Sequence, residues 1–117
     1  ASIYGLISPD FRIYSKGDRI NSEIYGATKA GIIQMTKYFG VFLANQNIRV
    51  NAVSPGGIFD KANPQKKSFI KKYSYRNPMK RMGNYKDIVG AVIYLSSEAA
   101  SYTTGQNIII DGGMSSW

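Results

Sequence analysis

Cysteine and histidine are both absent from the 117 residues. That removes disulfides, thiolate nucleophiles, histidine-based triads and nearly all zinc sites. No metal site is expected, and any proton chemistry must fall to Tyr, Lys, Ser or a carboxylate. No apolar run approaches the roughly 18 to 20 residues needed to span a bilayer, and no basic-then-apolar leader opens the sequence. A cytoplasmic protein with no membrane partner is the expectation. Acidic side chains are scarce: seven Asp and Glu face fifteen Lys and Arg, for a net charge of +8. Nine of those fifteen cations fall between Lys61 and Lys86, where Asp60 at the edge is the nearest acidic neighbour on the amino-terminal side.

What is present is the balance of one folded unit, 44% hydrophobic and 19% charged, about the size of a single domain. An irregular, polar opening (LISPDFRIYSKGDRINSE) carries the Pro, Gly and Asp punctuation of a loop. From Ser22 the apolar residues recur at three- and four-residue steps (Ile24, Ala27, Ala30, Ile33), which predicts a helix ending near Asn45 to Asn47 with Asn21 or Ser22 as its N-cap. IRVNAVSPGG then reads as a buried parallel strand stopped by Ser-Pro-Gly-Gly.

Asn63-Pro64 predicts the N-cap and first residue of a basic helix running to about Tyr75, with Phe69, Ile70 and Tyr73 on its buried stripe. Asn84 with Asp87 three residues on predicts another helix start. QNIIID is the last strand, closed by Asp111-Gly112-Gly113, which reads as architecture. The order loop, helix, strand, helix, helix, strand is an α/β pattern of parallel crossovers. At most three strands are expected, the first cut off at Ser2.

Tyr25 stands four residues before Lys29, a spacing that puts both side chains on one helical face. A phenol is a poor base because its ordinary pKa is about 10; a fixed cation close by favours the phenolate and brings such a group toward the working range of a general acid/base. By itself the pair is weak evidence, since an amphipathic helix with a Lys on its flank has the same spacing.

Four phrases in order change that weight. Ser-x-x-Gly at 2 to 5, Tyr-x-x-x-Lys at 25 to 29, RVNAVSPGGI at 49 to 58 and YTTGQNIIIDGG at 102 to 113 together resemble the carboxyl-terminal half of a short-chain dehydrogenase/reductase. Met79, Arg81, Gly83, Asp87 and Ile88 match a further phrase. Within the family the sequence is similar to bacterial members of flagellin modification and sugar biosynthesis, and more distantly to 3-oxoacyl carrier-protein reductases.

The resemblance implies the carboxyl-terminal part of a Rossmann-like, doubly wound parallel sheet. It implies hydride transfer between NAD or NADP and a small carbonyl or alcohol substrate. Tyr25 would be the general acid/base, Lys29 would hold the ribose hydroxyls of the cofactor, and Ser2 would donate a hydrogen bond to the substrate oxygen. Ser2 lies twenty-three residues before Tyr25 where the family's usual interval is about thirteen, so an insertion of ten is required; Ser8 and Ser15 are rivals that begin no Ser-x-x-Gly phrase. Pro55, Gly56, Gly57 and Ile58 would lie beside the nicotinamide, Ile58 through its backbone. Asp60 occupies the place of a Thr that binds cofactor phosphate in many relatives, which puts that contact in doubt.

A homodimer or homotetramer is implied, and the basic segment suits an anionic or sugar-derived substrate. The family's phosphate-binding fingerprint occurs nowhere among the twelve glycines, so the cofactor-binding amino-terminal half is expected to lie outside these residues. The competing reading is a non-catalytic binding or assembly module that offers the basic segment to an anionic partner. Nucleic acid is not expected in that role, because no helix-turn-helix is present and the aromatics near the cations fit a helix core.

Overall fold

The structure is a computed structural model describing residues 1–117. Helix α1 spans Glu23–Phe42, β1 Ala52–Pro55, α2 Lys67–Arg76, α3 Tyr85–Ser96 and β2 Asn107–Ile110. Short 3₁₀ turns at Ile3–Gly5, Phe11–Ile13, Ala44–Gln46 and Glu98–Ala100 join them. β1 and β2 pair in parallel, Ala52 opposite Asn107 through Pro55 opposite Ile110, with α2 and α3 in the crossover. This is the expected α/β order and the two strands that IRVNAVSPGG and QNIIID foretold.

Several boundaries follow from identifiable local chemistry. α1 gives way to a 3₁₀ turn that ends on Asn47 in the left-handed region, φ 59°, where Asn is tolerated better than most residues. α3 opens with the predicted capping box. The Asn84 side chain accepts from the Lys86 N–H at 2.9 Å, and the Asp87 carboxylate accepts from the Asn84 N–H at 2.8 Å. Its carboxyl end is held by Arg49, whose guanidinium donates to the Leu95 and Ser97 carbonyls at 2.8 and 3.3 Å, satisfying carbonyls the helix itself cannot.

One expectation is corrected. The basic helix starts at Lys67 and not at Pro64. Asp60 Oδ1 accepts from the Ala62 N–H at 2.9 Å, and the Gln65 amide reaches back to the Ile58 carbonyl at 3.0 Å. These two bonds hold the intervening chain extended, through Lys66 at φ −56°, ψ 141°. Two strands form, within the expected limit of three: Ser2 caps the first 3₁₀ turn, and the Ala1 amino group donates to the Val53 carbonyl at 2.8 Å.

The core gathers Ile3, Ile13, Tyr73, Met82 and Met114, drawn from the opening turns, α2, the segment before α3 and the tail. The apolar stripes of the longer helices are not part of it. On α1 Val41 is 79% exposed, and on α3 Ile93 is 63% exposed. Both faces are therefore apolar surfaces that these 117 residues leave uncovered, and a parallel sheet is normally covered on both sides. No helix is long and apolar enough to cross a membrane.

Candidate active site

The Ser-x-x-Gly phrase is a tight turn pressed onto α1. Ser2 Oγ accepts from the Tyr4 N–H at 3.2 Å, leaving the hydroxyl proton available. Gly5 lies so close to α1 that an added Cβ would stand 2.6 Å from the Lys29 carbonyl carbon and 2.7 Å from the Ala30 nitrogen. Only glycine permits that approach. Tyr4 then packs edge-on against Tyr25, ring centres 6.4 Å apart at 78°, a favoured arrangement for two rings. Burial pushes the Tyr4 phenol well above the usual tyrosine range, so it stays protonated beside Tyr25.

Tyr25 is in the first turn of α1 and is 39% exposed. Lys29 Nζ lies 5.1 Å from the centre of the Tyr25 ring, within the range of a cation held by an aromatic face. The one-turn spacing thus brings the two side chains into contact, as the helical geometry requires.

After β1 the chain turns through Gly56-Gly57 around the Tyr73 ring of α2. Gly56 N–H continues the ladder to the Ile110 carbonyl at 2.9 Å. Gly57 N–H donates to the Tyr73 hydroxyl at 2.6 Å, and a Cβ on Gly57 would meet that ring at 2.7 Å. Tyr73 is 2% exposed, and burial raises its phenol above the ordinary value. Ile58 forms an isolated parallel bridge with Gly83. Its carbonyl accepts from Gln65, while its N–H has no partner in the chain. Tyr73 was foreseen only as a buried stripe residue; that its hydroxyl fixes the Gly-Gly loop carried no sequence signal.

Ser2, Tyr25, Gly56 and Gly57 border one cleft of about 490 Å³. Lys29 braces Tyr25 without lining it, Pro55 ends β1 just before it, and Ile58 lines a separate hollow of about 160 Å³ with Arg81 and Asp87. The remaining wall comes from the inserted opening segment, through Tyr14, Asp18, Arg19 and Asn21, and from Gln65, Lys66 and Phe69. Sequence reasoning marked the insertion as an interruption; in the fold it is a wall of the site.

That wall also corrects the charge picture. Three cations of the basic segment are countered: Lys66 pairs with Asp18 at 2.7 Å and Arg76 with Asp10, both acids distant in sequence, and Arg81 with the nearby Asp87 at 2.7 Å. Lys72 Nζ donates to the Tyr14 carbonyl at 3.0 Å and to Ser15 Oγ at 3.1 Å. The Tyr14 ring packs at a 51° tilt against Phe69, 5.6 Å between centres. The insertion and α2 form one clasped unit, and several of the nine cations are engaged within it. Asp111-Gly112-Gly113 is architectural, as read: the Asp111 carboxylate accepts from the Gly113 and Ser115 N–H groups at 2.9 and 2.7 Å, and its carbonyl accepts from Asn77 at 2.7 Å. No group of acidic side chains is placed to hold a metal ion.

A family profile described as enoyl-(acyl carrier protein) reductase matches residues 14–115. An NADH-dependent L-xylulose reductase of Ambrosiozyma monospora is 40% identical over 86% of this chain and 39% of its own length. The post-translational flagellin modification protein A of Campylobacter coli is 34% identical over 97% of this chain and 43% of its own. A crystal structure of a short-chain dehydrogenase from Leptospira borgpetersenii with bound NAD+ superposes with a TM-score of 0.86 at 49% identity, covering 97% of this chain and 41% of that one. The chain thus spans about two fifths of the length of the proteins it matches. On these matches and on the shared parallel α/β core, the chain belongs to the short-chain dehydrogenase/reductase family.

Proposed function

We propose that residues 1–117 supply the proton-transfer half of an NAD(P)-dependent oxidoreductase acting on a small carbonyl or alcohol compound, the cofactor-binding amino-terminal half lying outside them. The observation that carries this reading is the single cleft shared by Ser2, Tyr25 and the Gly56-Gly57 turn, with Lys29 against the Tyr25 ring. The solved relative with bound NAD+ and the relative described as NADH-dependent support the cofactor class. The residues fit its nicotinamide end: the unpartnered Ile58 N–H suits a carboxamide oxygen, and Lys29 suits ribose hydroxyls. Nothing among the twelve glycines suits the pyrophosphate.

Bound nicotinamide would supply or accept the hydride. Tyr25 gives its phenolic proton to the carbonyl oxygen during reduction and takes the alcohol proton back during oxidation. Ser2, with its Oγ already accepting from Tyr4, has its own proton to donate to the same oxygen, stabilising the charge that develops there. The half-buried Tyr4 ring limits how Tyr25 can turn, and the Gly57 to Tyr73 bond fixes the opposite wall. The uncovered stripes of α1 and α3 suit the rest of the subunit and the partner copies of a homodimer or homotetramer.

The test is hydride transfer followed at the nicotinamide absorbance in full-length protein. Tyr25→Phe is expected to lower kcat by about 10² to 10⁴; undiminished turnover would remove Tyr25 from the mechanism.

A further inference from the structure

Three charged side chains border the cleft, Asp18, Arg19 and Lys66. Two of them cancel. Asp18 Oδ1 accepts from Lys66 Nζ at 2.7 Å, and its other oxygen accepts from the Ser15 N–H at 2.6 Å. Asp18 is the acid next to Arg19 in sequence and would be its natural partner, yet both of its oxygens are engaged elsewhere. Arg19 takes part in none of the chain's ion pairs or side-chain hydrogen bonds. Lys29 is outside the wall, against the Tyr25 ring. One unpaired positive charge therefore remains at the cleft, on a planar guanidinium whose fork matches a carboxylate.

We infer that Arg19 is the specificity residue of the substrate site and that the substrate is a keto or hydroxy carboxylate, its carboxylate on Arg19 and its reacting oxygen at the Tyr25 and Ser2 hydroxyls. This inference rests on the proposed function for the position of the reacting oxygen. A single free guanidinium with no second cation beside it balances a carboxylate of one negative charge, whereas a phosphate dianion would leave charge over. The neighbouring wall is polar and neutral, from Asn21 and Gln65. The Gln65 amide nitrogen is tied to the Ile58 carbonyl, and its buried oxygen has no partner, so a small turn of that side chain offers an acceptor to a substrate hydroxyl.

The site uses the insertion, since Arg19 and the acid that neutralises Lys66 both come from it. The cations of α2 that prompted the idea of an anionic substrate do not perform the recognition. Lys72 and Arg76 hold the insertion in place, and the selective charge arrives from the other side of the clasp.

The experiment uses full-length protein with cofactor present and a panel of keto carboxylates of three to six carbons, each paired with its neutral methyl ester, together with inorganic phosphate. Binding is followed by calorimetry and turnover by nicotinamide absorbance. At least one acid should bind about tenfold or more tighter than its ester. Arg19→Ala should abolish that preference, Arg19→Lys should restore part of it, and Lys71→Ala, exposed and away from the cleft, should leave it intact. Loss should appear as a raised KM for the acid with the ester unaffected.

No preference for acid over ester anywhere in the panel, a preference that survives Arg19→Ala, or tighter binding of phosphate than of every carboxylate would each overturn the inference. Arg19-dependent binding of acids without any hydride transfer would leave the carboxylate contact at Arg19 standing and sink the proposed function, and with it the placement of the reacting oxygen. Turnover of neutral ketones that ignores Arg19 would do the reverse.

Discussion

Replacing Tyr73 by Phe deletes one oxygen and keeps the ring, which separates the hydrogen bond from the packing. In the wild type that oxygen is 2.6 Å from the Gly57 nitrogen, on a residue only 2% exposed. The Phe ring fills the same space against Met82 and Ile13, so almost no apolar contact is lost. What remains is a backbone N–H with its partner removed, at a cost of about 1 to 3 kcal/mol. Divided by a urea dependence of roughly 1 to 3 kcal/mol per molar, the unfolding midpoint of full-length protein should fall by about 1 M. Hydrogen exchange gives a local readout: protection of the Gly57 amide should drop while that of Gly56, bonded to the Ile110 carbonyl at 2.9 Å, persists. An unchanged midpoint together with undiminished protection at Gly57 would show that the phenol oxygen does not hold the loop.

Other consequences are open to direct measurement. Gly40→Ala would put a Cβ 2.5 Å from the Gly105 backbone, and should destabilise by about 1 to 3 kcal/mol. Gly31→Ala, with nothing within 4 Å, should stabilise by up to about 1 kcal/mol; chemical denaturation that ranks the two the other way refutes the close approach of α1 to the Thr104-Gly105 turn. Arg81 and the Asn84 N–H hold the Asp87 carboxyl down to about 2. Its stabilising effect is therefore complete above the ordinary carboxylate range and is lost as pH falls from about 4 toward about 2, a loss that Asp87→Asn should remove from the acid unfolding curve.

Tyr4 and Tyr73 behave in the opposite sense. Burial raises both phenols, so stability is full below pH about 10 and declines as pH rises through the raised values. The tyrosinate absorbance should therefore show two late-titrating phenols in folded protein. Finally, the isolated 117-residue chain, with its uncovered stripes and a two-stranded sheet, should self-associate; sedimentation as a monomer with a cooperative melt would contradict that.

Periodicity and punctuation were enough to place α1, α3 and both strands, because each is specified by signals close in sequence: the 3- and 4-residue steps after Ser22, the Asn84–Asp87 box, the short Val- and Ile-rich runs. The start of α2 was misplaced because Asn63-Pro64 is a valid local helix opening, and what overrides it is a bond from Gln65 to Ile58 across seven residues. Tyr25 with Lys29 was legible for the same reason that α1 was, the pair being one turn apart on one element. The clasp between the insertion and α2 was not. Asp10 meets Arg76, and Asp18 meets Lys66, forty-eight positions apart; nothing local to either acid indicates which cation it will find. Part of the charge from Lys61 to Lys86 is balanced across the fold, where Lys66 and Arg76 meet Asp18 and Asp10, while the chain as a whole keeps its net +8.

The contact of Gly5 with the Lys29 and Ala30 backbone separates two properties of this enzyme half that are usually entangled. Main chain rests on main chain there, which brings the turn carrying Ser2 onto the helix carrying Tyr25. Arg19 and Asn21, which border the cleft from the insertion, can change without touching that contact. A lineage that wanted a new substrate would need to rewrite the wall and leave the hinge of glycine alone.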